Sequence, residues 1–525
     1  MLFHTWPFLI FMLIVLPVFY ALRGTRLWIP WLLAASYFFY GWWNPYYLSL
    51  VVYSTALDYL LVTLMDHCGP VGQPRAGPID AVLRLALVLS LGLALALAGV
   101  AWLGPPTLRP AALALAGLVL LMAVGAGFGS RRIWLLVSLV NNLALLLFFK
   151  YARFVVENLN SLVGWLGLPL HLADPSTLMP YGFSYVLPVG ISFFTFQSMS
   201  YTIDFYLGKV ARERNFLRFA TFVCFFPQLM AGPIERAKHL LPQFQRAPPA
   251  RLENITDGLS LFLVGLFKKL ALANYLSLYV ERVYENPAQA EASALVLATF
   301  AFAWQIFFDF SGYTDMARGL ARMMGFHLIL NFNNPYMATG LGEFWSRWHI
   351  SLSTWFRDYV YIPLGGNRHG TWGTYRNLFI TFLVSGVWHG ANWTFAIWGM
   401  LHAFGVMLTR ELERSAFYRQ RVPAIFKQGW VFAYVCFTWI FFRAASLGDA
   451  LTVIRRIGQA AWGSPQIPAL MLLLVAAVWL YEFIYESRLR GLLRAGPVRV
   501  SLAAAMLLYL CLCSSGGGTF IYFQF

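Results

Sequence analysis

TFLVSGVWHGANWTFAIWG (381–399) is an apolar, tryptophan-rich run with one histidine, His389, set into it. Forty positions upstream, EFWSRWHISLSTWFRDYVYIPLGGNRHG (343–370) holds His349 in similar surroundings. Runs this apolar suit a bilayer, where a strongly polar side chain is costly and faces a cavity or a polar partner. A histidine there can take up and return a proton near neutral pH, its unperturbed pKa being about 6.5.

The rest of the chain supports the membrane reading. Of 525 residues, 59% are hydrophobic and 11% charged, against roughly 25% charged in a soluble domain. Mean hydropathy is +0.63. The net charge of +16 raises the question of nucleic acid. The basic residues, however, sit in short clusters between apolar runs, at Arg23/Arg26, Arg131/Arg132, Lys209–Arg214, Lys268/Lys269, Arg410–Lys427 and Arg488–Arg499. Cytoplasmic membrane loops look like this under the positive-inside rule, so the partner is the lipid bilayer and not nucleic acid. The first run, 6–22, has no basic residue before it and no small-residue cleavage site after it, so it reads as a retained span. Arg23 and Arg26 follow it, which places the N-terminus outside. Five cysteines form no CxxC pair, and neither a disulfide framework nor a metal site is expected.

A crossing helix needs ~20 apolar residues. Candidate spans lie near 6–22, 27–43, 46–65, 81–103, 111–128, 133–149, 185–203, 216–230, 257–281, 294–311, 376–396, 396–409, 430–442, 467–485 and 498–513. Several are short or broken by Pro and Gly. Such backbone survives at membrane depth when it is buried in protein or lines a watery cavity. The class is therefore an all-α polytopic membrane protein with re-entrant or interfacial helices. Its parts are N-terminal spans (1–65), a turn-rich loop with an inserted Leu/Ala/Val/Gly hairpin (66–131), a core that holds both histidines (132–410), C-terminal spans (411–513), and a Gly/Ser tether with an aromatic tail (514–525). The polar stretch 231–256 reads as a cytoplasmic loop.

Read as one helix, 343–359 aligns Trp345, Trp348, Leu352, Trp355 and Tyr359 on a broad apolar face. Arg347, Ser351, Thr354 and Asp358 form a polar stripe, with His349 beside the aromatics. PLGGN (363–367) ends the helix. Two readings stand: a functional histidine, or an interfacial helix in which His349 is a satisfied hydrogen bonder. In 381–399, Ser385, His389 and Asn392 fall at i, i+4 and i+7, a narrow polar stripe flanked by Gly386 and Gly390. Here function competes with interhelical hydrogen-bond glue. In QIFFDFSGYTDMARGLARMMGF (305–326), Asp315 can pair with Arg318 or Arg322. Asp309, one turn from Tyr313, is less easily accounted for; it joins the supporting residues without a stated role. SSGGGTFIYFQF (514–525) is either a frayed interfacial end or a tethered tail that folds back into the cavity, emerging outside.

These segments resemble the membrane-bound O-acyltransferase superfamily, and within it the bacterial alginate O-acetylase branch. The likeness is carried by ISFFTFQSMSYTIDFYLG (191–208), FFPQLMAGPIERA (225–237), FDFSGYTDMARGLA (308–321), NFNNPYMATGLGEFWSRWHISLSTWFRDYVYIPLGGN (331–367), SGVWHGANWTFAIWG (385–399) and the terminal FIYFQF. The resemblance implies a funnel-shaped multi-helix core with a through-membrane tunnel. His349 matches the histidine of the family's FWxRWH motif and His389 its intramembrane histidine. Tyr522, in the tail, matches a tyrosine proposed to carry the acyl group. The implied reaction is acetyl transfer across a bacterial inner membrane from a cytoplasmic thioester, either acetyl-CoA or an acyl carrier protein. His389 would act as general base. His349 would orient the donor or help stabilise the oxyanion. Arg347, Trp348, Ser385, Asn392 and Asp309 would support donor positioning. The implied partners are a periplasmic SGNH-type O-acetyltransferase with a Ser-His-Asp site and a polysaccharide biosynthesis complex, with the N-terminus and the tail periplasmic. Peptidoglycan O-acetylation and D-alanyl transfer remain open as cargo alternatives. A transporter or a recruiting scaffold remains open as a non-enzymatic one, although no inverted repeat is apparent.

Overall fold

The computed structural model describes residues 1–69, 130–179, 184–459 and 462–513. Among them every regular element is a helix, and seven helices are long and apolar enough to cross a membrane. These are Pro45–His67, Arg131–Trp165, Leu252–Tyr284, Ala292–Met323, Ala424–Arg443, Ala469–Glu486 and Gly496–Cys513. The all-α, polytopic class expected from sequence is borne out, and the protein is a multi-pass membrane protein. Helices are forced on such runs because lipid offers the backbone no hydrogen-bond partners. The inserted hairpin at 81–128 and the tail with Tyr522 lie outside the described residues.

The chain folds as two compact units. The first comprises Met1–Met230 and Ile234–Pro248. Its helix Pro45–His67 begins where Asn44 accepts the Tyr46 N–H at 3.0 Å, with Pro45 at the first position, where its missing N–H is harmless. Asp58, halfway along, is fully buried. Its carboxylate accepts the Ser138 hydroxyl at 2.7 Å and the Asn142 amide at 3.1 Å on each oxygen. Ser54 donates to the Asn142 carbonyl at 3.1 Å, and Ser138 meets Thr202 at 3.3 Å. A carboxyl in hydrocarbon is thus hydrogen-bonded by neutral donors from Arg131–Trp165, with Thr202 adjoining from Ile191–Tyr206. The span expected at 216–230 is broken instead: the helix Phe216–Cys224 stops because the Phe226 N–H bonds the Ser36 hydroxyl at 3.1 Å.

The second unit comprises Ala231–Pro233 and Pro249–Phe525. Its central element is the 32-residue helix Ala292–Met323, largely buried, which packs along Leu252–Phe267. Glycines permit this approach. A Cβ on Gly265 would lie 2.5 Å from the Gly312 carbonyl, and one on Gly312 2.8 Å from the Gly265 carbonyl. Gly258 and Gly319 repeat the pairing seven residues away, each Cβ falling 2.6 Å from the other's carbonyl. We expect Gly265→Ala or Gly312→Ala to destabilise the detergent-solubilised protein by about 1–3 kcal/mol, the usual cost of overpacking. Gly342→Ala, whose Cβ meets nothing within 4 Å, should be neutral or slightly stabilising. Thermal unfolding of the three variants checks this.

One turn beyond Gly265 the helix widens into a π-turn, Lys268–Ala273. Adjacent lysines there both reach the facing helix: Lys268 pairs with Asp315 at 2.8 Å, and Lys269 with Asp309 at 2.5 Å. The Lys269–Asp309 pair is almost wholly buried.

Candidate active site

The single helix expected over 343–359 is two short helices, Leu341–Arg347 and Ile350–Phe356, with a π-turn, Arg357–Tyr361, after them. His349 stands in the break with φ 43° and ψ 54°, in the left-handed region. A non-glycine residue is held there only when its surroundings over-determine it. Asn331 supplies that constraint. Its carbonyl accepts the Ile350 N–H at 2.9 Å, and its side-chain oxygen accepts the Ser351 N–H and hydroxyl at 3.1 and 2.9 Å. The His349 ring is buried, edge-on to Phe310 at 4.6 Å between centroids and near Phe332 and Trp388 at 6.4 Å each.

The polar stripe expected through Asn392 is also interrupted. The helix Gly370–His389 ends at His389, and Gly390 continues in extended backbone. A Cβ on Gly390 would strike the Phe395 ring at 2.2 Å. Asn392 caps the next helix, Trp393–Arg414, by accepting the Thr394 N–H at 3.0 Å, and it donates to the Ala445 carbonyl at 2.9 Å. Ser385 stays on the His389 helix, one turn earlier and buried. A neighbouring helix comes close at Gly386: its Cβ would lie 2.3 Å from the Phe395 carbonyl, and one on Gly399 2.4 Å from that of Phe382. This backbone contact sets His389 beside Trp398.

Around His389, imidazoles and indoles alternate. Trp388 adjoins both His349, at 6.4 Å between ring centroids, and His389, at 5.0 Å. Trp398 lies between His389 (5.0 Å) and His402 (4.8 Å), and Trp345 closes the series at 4.9 Å from His402. Phe442 covers His389 at 5.4 Å. The structure therefore brings His349 and His389 to one shared indole, Trp388, although they are forty positions apart in sequence.

The sequence reading missed His402. It is fully buried, accepts the Trp345 indole N–H on Nδ1 at 3.3 Å, and sits 3.0 Å from the Thr438 hydroxyl through Nε2. Thr438 spends its own proton on the Val435 carbonyl at 2.8 Å. The Nε2–H must then donate to Thr438, which fixes a neutral tautomer. His402 is a clamp, held on both nitrogens. The signal that could have found it was the one that found His389, a lone histidine in an apolar run.

The supporting residues disperse. Trp348 is buried against Phe332, Phe344 and Trp439. Arg347 turns away to Glu343, at 2.8 Å, and to Glu486. Burial works to raise the Glu343 carboxyl, but hydrogen bonds from Thr339 and Arg347 outweigh it and hold the group below the usual carboxylate range. Asp309 pairs with Lys269, while the next residue, Phe310, meets His349. Asp315 pairs with Arg318 at 3.3 Å, one of its two expected partners, and also with Lys268. Arg322 instead lies 3.5 Å from Asp257.

Two buried imidazoles meeting one indole are groups that can move a proton away from bulk water, which suits transfer to a hydroxyl. Comparison with known proteins agrees. The sequence profile of the membrane-bound O-acyltransferase family matches residues 193–448. The chain is 36% identical over 444 residues to the "Probable alginate O-acetylase AlgI" of Pseudomonas putida, covering 83% of this chain and 77% of that one. It is 32% identical over 452 residues to the peptidoglycan O-acetyltransferase of Helicobacter pylori, covering 81% and 72%. A teichoic acid D-alanyltransferase of Bacillus subtilis is 29% identical over 231 residues, 41% of this chain and 57% of that one. Likeness of that extent to the first two leaves one assignment: the chain belongs to the membrane-bound O-acyltransferase family, and it is an O-acyltransferase.

Proposed function

We propose that the chain moves an acetyl group from a cytoplasmic thioester across the bacterial inner membrane, for O-acetylation of an extracytoplasmic polysaccharide. The observation that carries this reading is His389, set at a helix end in a buried aromatic cage and sharing Trp388 with His349. The alginate and peptidoglycan relatives supply the acetyl cargo and the polymer class. Acetyl-CoA is the first donor to test and an acylated carrier protein the second. In this reading His389 takes the proton of an acceptor hydroxyl as the hydroxyl attacks the thioester carbonyl, and His349 orients the donor. Tyr522 receives the acetyl group on the periplasmic side. A separate SGNH-type transferase then passes it to the polysaccharide within a biosynthesis complex. The peptidoglycan relative makes peptidoglycan the second candidate acceptor.

The test is acetyl labelling of the purified chain in proteoliposomes, with isotopic acetyl-CoA on the cytoplasmic face and retained label mapped by mass spectrometry. Label is expected on Tyr522, absent in Tyr522→Phe and in His389→Ala. Normal polysaccharide acetylation by Tyr522→Phe would reduce the tail to an anchor. No label with either donor, even after the partner transferase is added, would favour a transporter or a scaffold.

A further inference from the structure

Trp398 and Trp439 are each 1% exposed, and neither indole N–H meets a hydrogen-bond acceptor among the described residues. An indole nitrogen can only donate. Native structures leave few buried donors without a partner, and each one needs an explanation. Here two occur together. The rings stack at 5.8 Å and 22°, so their N–H bonds point out of the rim of the stack and not at each other. His389 meets Trp398 edge-on at 5.0 Å and 85°. Phe442 touches all three rings, at 5.4 Å from His389, 5.2 Å from Trp398 and 5.1 Å from Trp439. One of these two dry donors, Trp398, therefore stands beside the imidazole assigned as base, and the other, Trp439, stacks on it. His402, clamped by Trp345 and Thr438, meets Trp398 edge-on at 4.8 Å.

We propose that Trp398 and Trp439 are catalytic residues whose indole N–H groups bind the carbonyl oxygen of the acyl thioester and hold its charge during transfer. This rests on the reading of His389 as the base. In the addition step the acceptor oxygen bonds to the carbonyl carbon, its proton passes to His389, and the carbonyl π electrons move onto the oxygen between the two N–H groups. In the collapse the C=O bond re-forms, the C–S bond breaks, and His389 returns the proton to the departing sulfur. An ester and a thiol result, with nothing oxidised or reduced. Donors fixed where charge develops act mainly on the transition state, so their loss falls on kcat more than on KM.

Trp304 provides the control. Its buried N–H also lacks an acceptor among the described residues, but the rings around it are Phe307, Phe308, Tyr336, Phe432 and Trp479. Phe replaces an indole without emptying the site. In proteoliposomes, with whichever of acetyl-CoA and acetylated carrier protein the wild-type chain turns over, Trp398→Phe and Trp439→Phe should each lower kcat by about 100-fold. KM should hold within a few fold, and Trp304→Phe should behave as wild type. A structural role alone would not move a second readout, the infrared band of a carbonyl-13C thioester bound to the His389→Ala chain. That band should lie below that of the free thioester, and adding Trp398→Phe or Trp439→Phe should shift it back. Full kcat in both Phe variants, or a band that neither moves, overturns the proposal while an inactive His389→Ala keeps the base. An active His389→Ala, or no turnover with either donor, overturns the reading beneath it.

Discussion

In His389→Ala, acyl transfer should fall by at least about 100-fold, the lower end of what a positioned acid–base group supplies, while the chain inserts normally and unfolds at an unchanged temperature. The second half of that expectation follows from the packing. His389 contributes ring contacts to Trp388, Trp398 and Phe442, and the backbone contact at Gly386 and Gly399 holds the two helices together without it. His402 is the contrast within the same cage. Its replacement by Ala strands the Trp345 N–H in the core, at about 1–3 kcal/mol, while the Thr438 hydroxyl keeps its bond to the Val435 carbonyl. One buried histidine should thus cost activity and its neighbour stability. Acetyl labelling and thermal unfolding on both variants separate them. Near-full transfer by His389→Ala removes it as the base.

Lys269→Met should be among the most damaging single changes in the second unit, at about 3–5 kcal/mol, because it leaves the Asp309 carboxylate buried without its cation. The pair lies beneath the site: Phe310, next to Asp309, is the ring that meets His349 edge-on at 4.6 Å. The double variant Lys269→Met/Asp309→Leu should recover most of the loss, since an apolar pair of similar volume is often as stable as a buried ion pair. A double-mutant cycle on unfolding temperature measures the coupling. If the double variant is no better than the single one, the two charges are not each other's main partner. A stable but inactive double variant would give Asp309 a part in transfer beyond holding its helix.

The spans were legible because a long apolar run has one solution in lipid, and Leu252–Tyr284 and Ala292–Met323 lie where the runs place them. The breaks were not. Trp345, Trp348, Leu352 and Trp355 keep helical spacing straight through His349, and neither Gly nor Pro marks the site. The interruption comes from Asn331, which local pattern cannot include. At His389 the polar spacing to Asn392 suggested one face, yet Gly390 turns the chain and Asn392 serves as a cap. His349 and His389 were found as chemistry, but that one indole, Trp388, meets both depends on how Gly370–His389 and the 341–361 segment pack. Lys269 was legible only as a basic residue in a loop-like cluster; its burial against Asp309 needs the π-turn.

The solvated carboxylate of Asp58 also sets a schedule for making the protein. Its donors, Ser138 and Asn142, leave the ribosome 80 and 84 residues after it, with the whole 66–131 stretch between. At roughly 5–20 residues per second the interval is on the order of ten seconds. Throughout it the nascent Pro45–His67 segment carries an uncompensated acid into the bilayer, at about 2.5–3.5 kcal/mol. That cost is lifted once Arg131–Trp165 arrives and its Ser138 and Asn142 reach the carboxyl.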